Sequence, residues 1–231
     1  QYADYGYPRL YKHFGNEAMK SLVDYGGGSG TGMYYIHEPG LPGTLGDKLI
    51  SNDYGRGILI HERKADGASY QIKQERFNFQ RPMSTDVDAY SRIYVSSWSN
   101  GGASFSKKHF GYVDLFVNKN YQPKAFPDLL KASENELLQH LINRSQVLRI
   151  NAMCEILKRG KNKNAESSLE ALIQNSRLEL YARVAALFCY KQLYGQEANT
   201  FIAKQYDDSQ LREFVIRALT DHSDQLTDVP L

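Results

Sequence analysis

The sequence predicts a β-propeller portion of about two incomplete blades, followed by an all-α HEAT-like solenoid. Three observations carry this. Short strand-like runs split by Gly, Asn and Asp turns fill residues 30–117. Pro123 and Pro127 break the chain where glycine density falls. Beyond them the pattern is helical throughout, with an arginine recurring at 149, 183 and 212.

In chain order, the first blade-like unit predicts strands over Gly32–Ile36, Asp47–Ser51, Gly57–His61 and Tyr70–Lys73. The second predicts Ser84–Asp88, Arg92–Trp98 and Tyr112–Val117. A propeller needs at least four blades of roughly 40–50 residues each. Two blades therefore read as the tail of a larger molecule. They leave two open sheet edges, expected to be covered by the remaining propeller blades or by another protein chain. The domains are then 1–122, a partial propeller; 123–128, a Pro-containing linker; and 129–231, helical repeats.

The second half predicts helices over Glu134–Asn143, Val147–Arg159, Ala165–Asn175, Leu178–Tyr194, Gln196–Tyr206 and Gln210–Asp221. Ser133 with Glu136 forms a capping box, and Gly160 and Gly195 fall where C-terminal caps belong. The recurring arginines stand 34 and 29 residues apart, each followed by small or β-branched residues. That pattern groups the helices into three stacked pairs. An irregular helical bundle is the alternative, because Arg-x-x-Ala is a weak signal.

Composition narrows the partners. The chain has 28 basic and 26 acidic residues, with no basic face, which argues against nucleic acid. No run approaches the length of a transmembrane segment. The chain begins at Gln1, which predicts a processed or trimmed product. Cys154 and Cys189 form no C-x-x-C and read as buried, reduced thiols. Thirteen of the 17 tyrosines precede position 122, which suits half-buried strands or a binding rim.

The run Asp24-Tyr-Gly-Gly-Gly-Ser-Gly-Thr-Gly32 is the strongest candidate for a ligand contact. It matches neither phosphate-binding glycine pattern and leads into a strand, so no helix N-terminus is available. Its plain reading is a loop into a blade. Its functional reading is a backbone lining at the channel mouth, with Asp24, Gly26, Gly27, Gly28 and Ser29 as ligand-binding candidates. His37 ends the following strand about 17 Å away at roughly 3.4 Å per residue, so one ligand should not touch both ends. His37 and His13 read first as hydrogen-bonded or surface histidines, and second as bases. Asp86 and Asp88 read as turn caps, because the residues after them supply too few oxygens for calcium. Trp98 reads as packed between blades. No metal set and no catalytic residue emerges.

The segments Leu22–Gly32, Glu38–Pro42, Arg81–Asp86 and Arg92–Trp98 resemble the final blades of bacterial envelope proteins of planctomycete and Bacteroidetes type. These are membrane-bound dehydrogenases or haem-binding proteins, whose propeller is similar to that of glucose/sorbosone dehydrogenases. In that family a propeller, HEAT-like repeats and a cytochrome c domain follow one another. The resemblance implies pyrroloquinoline quinone and Ca²⁺ as cofactors, a cytochrome c domain as a possible partner, and a periplasmic or cell-surface location. No Cys-x-x-Cys-His occurs here, and no catalytic residue carries over.

Two functional expectations follow. The first is a fragment of a quinone-type sugar or alcohol dehydrogenase-like protein, inactive by itself, with the helical half as a docking surface. The second is a non-catalytic binding or scaffold subunit of a cell-envelope complex.

Overall fold

The computed structural model describes residues 22–23, 28–43, 45–67, 69–99 and 111–225. The chain divides into two compact units, Gln1–Pro123 and Lys124–Leu231.

The described residues of unit 1 form seven strands in two antiparallel sheets. The first sheet runs β1 (Gly30–Ile36), β2 (Lys48–Asp53), β3 (Gly57–Asp66) and β4 (Ser69–Phe77), each paired to the next. The second runs β5 (Pro82–Val87), β6 (Ile93–Ser97) and β7 (Tyr112–Phe116). Ile50, Ile58, Ile60 and Phe77 of the first sheet and Thr85, Ile93, Val95 and Phe116 of the second surround a small apolar void of about 80 Å³. Alternation along β6 puts Ile93, Val95 and Ser97 inside. In β2 the residues from Ile50 to Asp53 are all buried, so both of its faces are covered.

The seven strands fall where the turn residues place them, but they do not build propeller blades. The described strands form two open sheets of four and three strands, and no ring or barrel closes around an axis. Strand lengths give the physical reason. Strand β2 pairs only with residues 57–61 of β3. Residues 62–66 pair with 69–73 alone, as an exposed two-stranded arm. A blade needs strands of matched length and a buried face against the next blade; this arm has neither. Trp98, expected in the interior, is 41% exposed and meets Tyr54 edge-on at 5.8 Å.

Unit 2 contains α1 (Glu134–Leu141), α2 (Gln146–Arg159), α3 (Lys163–Gln174), α4 (Leu180–Tyr194), α5 (Asn199–Ala203) and α6 (Arg212–Thr220). The local signals hold. Ser133 and Glu136 close a reciprocal capping box, Ser145 and Asn162 cap α2 and α3, and Gly160 and Gly195 stop α2 and α4 at positive φ.

The HEAT-like solenoid does not form. In a solenoid each repeat touches only its neighbours. Here α4 packs against all five other helices, and one apolar cluster runs from Leu129 to Leu219. A helix buried on most of its sides belongs at the centre of a bundle, and α4 buries Ala182, Ala186, Leu187, Cys189, Tyr190 and Leu193 together with the two cations Arg183 and Lys191.

The recurring arginines tie each chain reversal to the helix that follows. Arg149 donates to the carbonyl oxygens of Asn143 and Arg144, and Arg212 to that of Tyr206. Arg183 donates to the Ile173 carbonyl at 2.8 Å and to the Asp208 carboxylate at 2.6 Å. Arg183 is fully buried, so these bonds carry a desolvated charge. They hold the Asp208 carboxyl below its ordinary value, and the Gln210 and Leu211 amides add to the effect.

Both cysteines are free, and only one is buried. Cys154 is exposed, against expectation, because its position on α2 faces away from the core. Burial pushes the Cys189 thiol up to about 12. In the native protein a thiol reagent should therefore titrate Cys154 alone, with Cys189 reacting only after denaturation. Fast native labelling of both would contradict the core position of Cys189.

Replacing Arg183 by Met should lower stability by about 3 kcal/mol, seen as a lower denaturant midpoint at unchanged slope. The Asp208 carboxyl sits lower when folded than when unfolded. Its contribution is therefore complete above the ordinary value of 3.8 and is lost as pH falls through the folded value. Asp208→Asn should flatten this acid limb of the stability curve.

Candidate functional site

Asp53 ends β2 and is fully buried. Its Oδ1 accepts the amides of Gly55 and Arg56 at 2.9 and 2.8 Å. This Asx-type turn sends β3 back with Gly57 opposite Asp53. The glycine-rich approach to β1 crosses the same carboxylate. A Cβ at Gly28 would lie 2.4 Å from both carboxylate oxygens of Asp53, and φ there is +145°. Asp53 Oδ2 finds no hydrogen-bond partner among the described residues. The Ser29 carbonyl accepts the Tyr54 amide at 2.9 Å.

Gly28 and Ser29 thus sit against the β2–β3 turn, both exposed, and the described strands form no closed ring around a channel. Asp24, Gly26 and Gly27 lie outside the described residues, as do His13 and His109. His37 is buried, with Nδ1 bonded to the Asp47 carboxylate, which is the hydrogen-bonded reading of that residue.

Polar side chains also join the two sheets of unit 1. Thr85 Oγ1 donates to Asn52 Oδ1 at 3.1 Å, and Thr31 Oγ1 to the Pro82 carbonyl at 2.7 Å. Tyr34 bonds Asp86, and its hydroxyl is pushed up by burial and by the nearby Asp86 and Glu38 carboxylates. Ser51 Oγ and His61 Nε2 lie 2.8 Å apart. Burial lowers the imidazole's proton affinity, so His61 stays neutral at physiological pH. The spacing is that of a nucleophile and its base, but both residues are buried, and the pair serves as a hydrogen bond between β2 and β3.

Asp88 caps the β5–β6 turn. It accepts the Tyr90 and Arg92 amides, the Arg92 guanidinium and the Tyr94 hydroxyl. Burial alone would raise its carboxyl; these donors outweigh that and hold it low. Arg92 pairs with it at 2.6 Å, so its oxygens are committed to the turn.

Of the four edge strands, β1 and β5 lie against each other, and the other two, β4 and β7, differ in kind. Strand β4 carries Lys73, Glu75 and Arg76 exposed, the charged pattern that discourages edge pairing. Among the described residues, strand β7 pairs with β6 on one side only. Val113 and Leu115 are 64% and 50% exposed, and Val117 just beyond is 54% exposed. Asp114, the one charged residue of the strand, is exposed on the alternate face. Sequence alternation marks β7 as a strand, but whether its apolar face is covered depends on its neighbours. Asp53 was legible in principle, since Asp-x-Gly between strands is a turn signal.

No group of three or more His, Cys, Asp or Glu among the described residues is placed to hold a metal ion, so the calcium implied by the resemblance finds no ligand set there. No helix among the described residues is long and apolar enough to cross a membrane. No family model, curated protein or solved structure matches the chain.

Gly28→Ala should cost about 1–3 kcal/mol through backbone strain and the clash with Asp53. Combined with Asp53→Ala, the loss should be smaller than the sum of the two single losses, as for residues in contact. Strict additivity in denaturant unfolding would show that the two positions do not abut.

Proposed function

We propose that the chain is a non-catalytic binding subunit whose β7 edge accepts an extended segment of a partner protein as an added strand. One observation carries this reading: among the described residues β7 ends its sheet with no strand paired to its outer edge, beside exposed Val113, Leu115 and Val117. Main-chain bonds along such an edge supply affinity, and alternating side chains supply selectivity. The segment that fits alternates β-branched residues along the Val113–Leu115 face. On its other face it places a Lys or Arg beside Asp114. The contrast with the charge-protected β4 edge supports the assignment of β7. The quinone-dehydrogenase reading drew its cofactor seat from a propeller channel, so the geometry favours the scaffold reading over it.

A synthetic peptide of about ten residues, alternating Val or Thr with Lys, tests the edge. It should bind saturably and slow amide hydrogen exchange at residues 113–117. Leu115→Lys should weaken binding at least about tenfold at unchanged melting temperature, because the side chain already meets solvent. Absence of protection, or equal binding by the variant, would refute the edge as a docking site. Dimerisation without peptide, abolished by Leu115→Lys, would assign the edge to a second copy and end the partner reading.

A further inference from the structure

We infer that unit 2 binds a small monocarboxylate with an apolar tail, in a cavity beside the C-terminal end of α4. The cavity, about 580 Å³, lies between the end of α2 (Leu157, Gly160, Lys161), the last turns of α4 (Phe188, Lys191, Gln192, Leu193) and the stretch after α6 (Asp221, His222, Gln225). That volume suits a small molecule.

Lys191 is the reason to expect an anion. It is 5% exposed. Its ammonium donates to the Gly195 carbonyl at 3.1 Å and to Asn199 Oδ1 at 2.6 Å, both neutral acceptors. An ammonium has three donors, and no acceptor among the described residues takes the third. No carboxylate of those residues lies within ion-pair distance of it; Asp224 acts only from further away. A desolvated cation normally has a charged partner. Burial accordingly lowers its proton affinity, as expected of an ammonium lacking one. A ligand carboxylate in the cavity supplies that partner.

The remaining walls fit the same ligand. Leu157, Phe188 and Leu193 offer an apolar surface for a short hydrocarbon tail. Asp221, the one acidic lining residue, is turned toward Arg217 at 3.9 Å. Gln225 Oε1 is buried without a hydrogen-bond partner among the described residues; its amide, turned over, presents its NH₂ to the same anion.

The test uses the full chain with Leu methyl groups labelled for NMR, titrated with hexanoate, hexanol and inorganic phosphate. Hexanoate should shift the Leu157 and Leu193 methyl signals saturably, with a dissociation constant on the order of 1 mM for a ligand of about eight heavy atoms. Hexanol and phosphate should each bind at least about tenfold more weakly. Lys191→Met should reduce hexanoate affinity by a similar factor. Because that buried change could disturb folding, Gln192→Glu on the exposed rim is the companion variant. It should fold normally and weaken hexanoate several-fold by repulsion. Equal binding of hexanol and hexanoate would overturn the proposal. So would phosphate binding as tight as hexanoate, no saturable shift, or unchanged affinity in both variants.

Discussion

Burying a polar group costs free energy that its hydrogen bonds offset, and in each unit the bonds of one such group fix the chain path. In unit 1 the group is the Asp53 carboxylate. It binds the two amides that reverse β2 into β3, and it leaves no room for a side chain at Gly28. In unit 2 it is the Arg183 guanidinium, which holds the end of α3 and the turn before α6 onto α4. Apolar packing supplies most of the stabilisation in both units but lacks direction. These two side chains make one arrangement of strands or helices preferable to its neighbours, because a shifted register would strand a charge in the interior.

The local elements were legible because their causes are local. Alternation and turn residues located the seven strands of the described residues, and caps such as Ser133 and Gly160 set helix ends to within a few residues. The architecture was not, because blades and plain antiparallel meanders share one local pattern. They differ in whether strand lengths match, and the overlong β3–β4 hairpin settles that only once paired. In the helical half, a repeat of Arg followed by small residues suits a stack and a bundle alike. What separates them is that α4 is buried on most of its sides, against all five other α-helices. Cys154 and Trp98 misled for a related reason: residue type sets an average burial, and the neighbours decide the individual case.

The candidate sites illustrate the same boundary. The glycine run signalled close backbone approach, and Gly28 does lie against a carboxylate, but that carboxylate is structural rather than a ligand's. Lys191 reads in sequence as one polar position on a helix; its isolation from counter-charges appears only in three dimensions. The exposed face of β7 is likewise a property of what fails to pack there.

The β3–β4 arm separates two kinds of backbone within one hairpin. Near its base β3 is paired on both sides, to β2 and to β4; beyond residue 61 the two arm strands have only each other among the described residues. Opening the distal part breaks few apolar contacts, so it lies at the low end of the local-unfolding scale. The tip at Gly67, at φ +58° with open space around it, is then the natural place to graft a tag, an epitope or a whole inserted domain. Loop closure grows only slowly with length, and strain at the tip would dissipate along the arm before reaching Asp53.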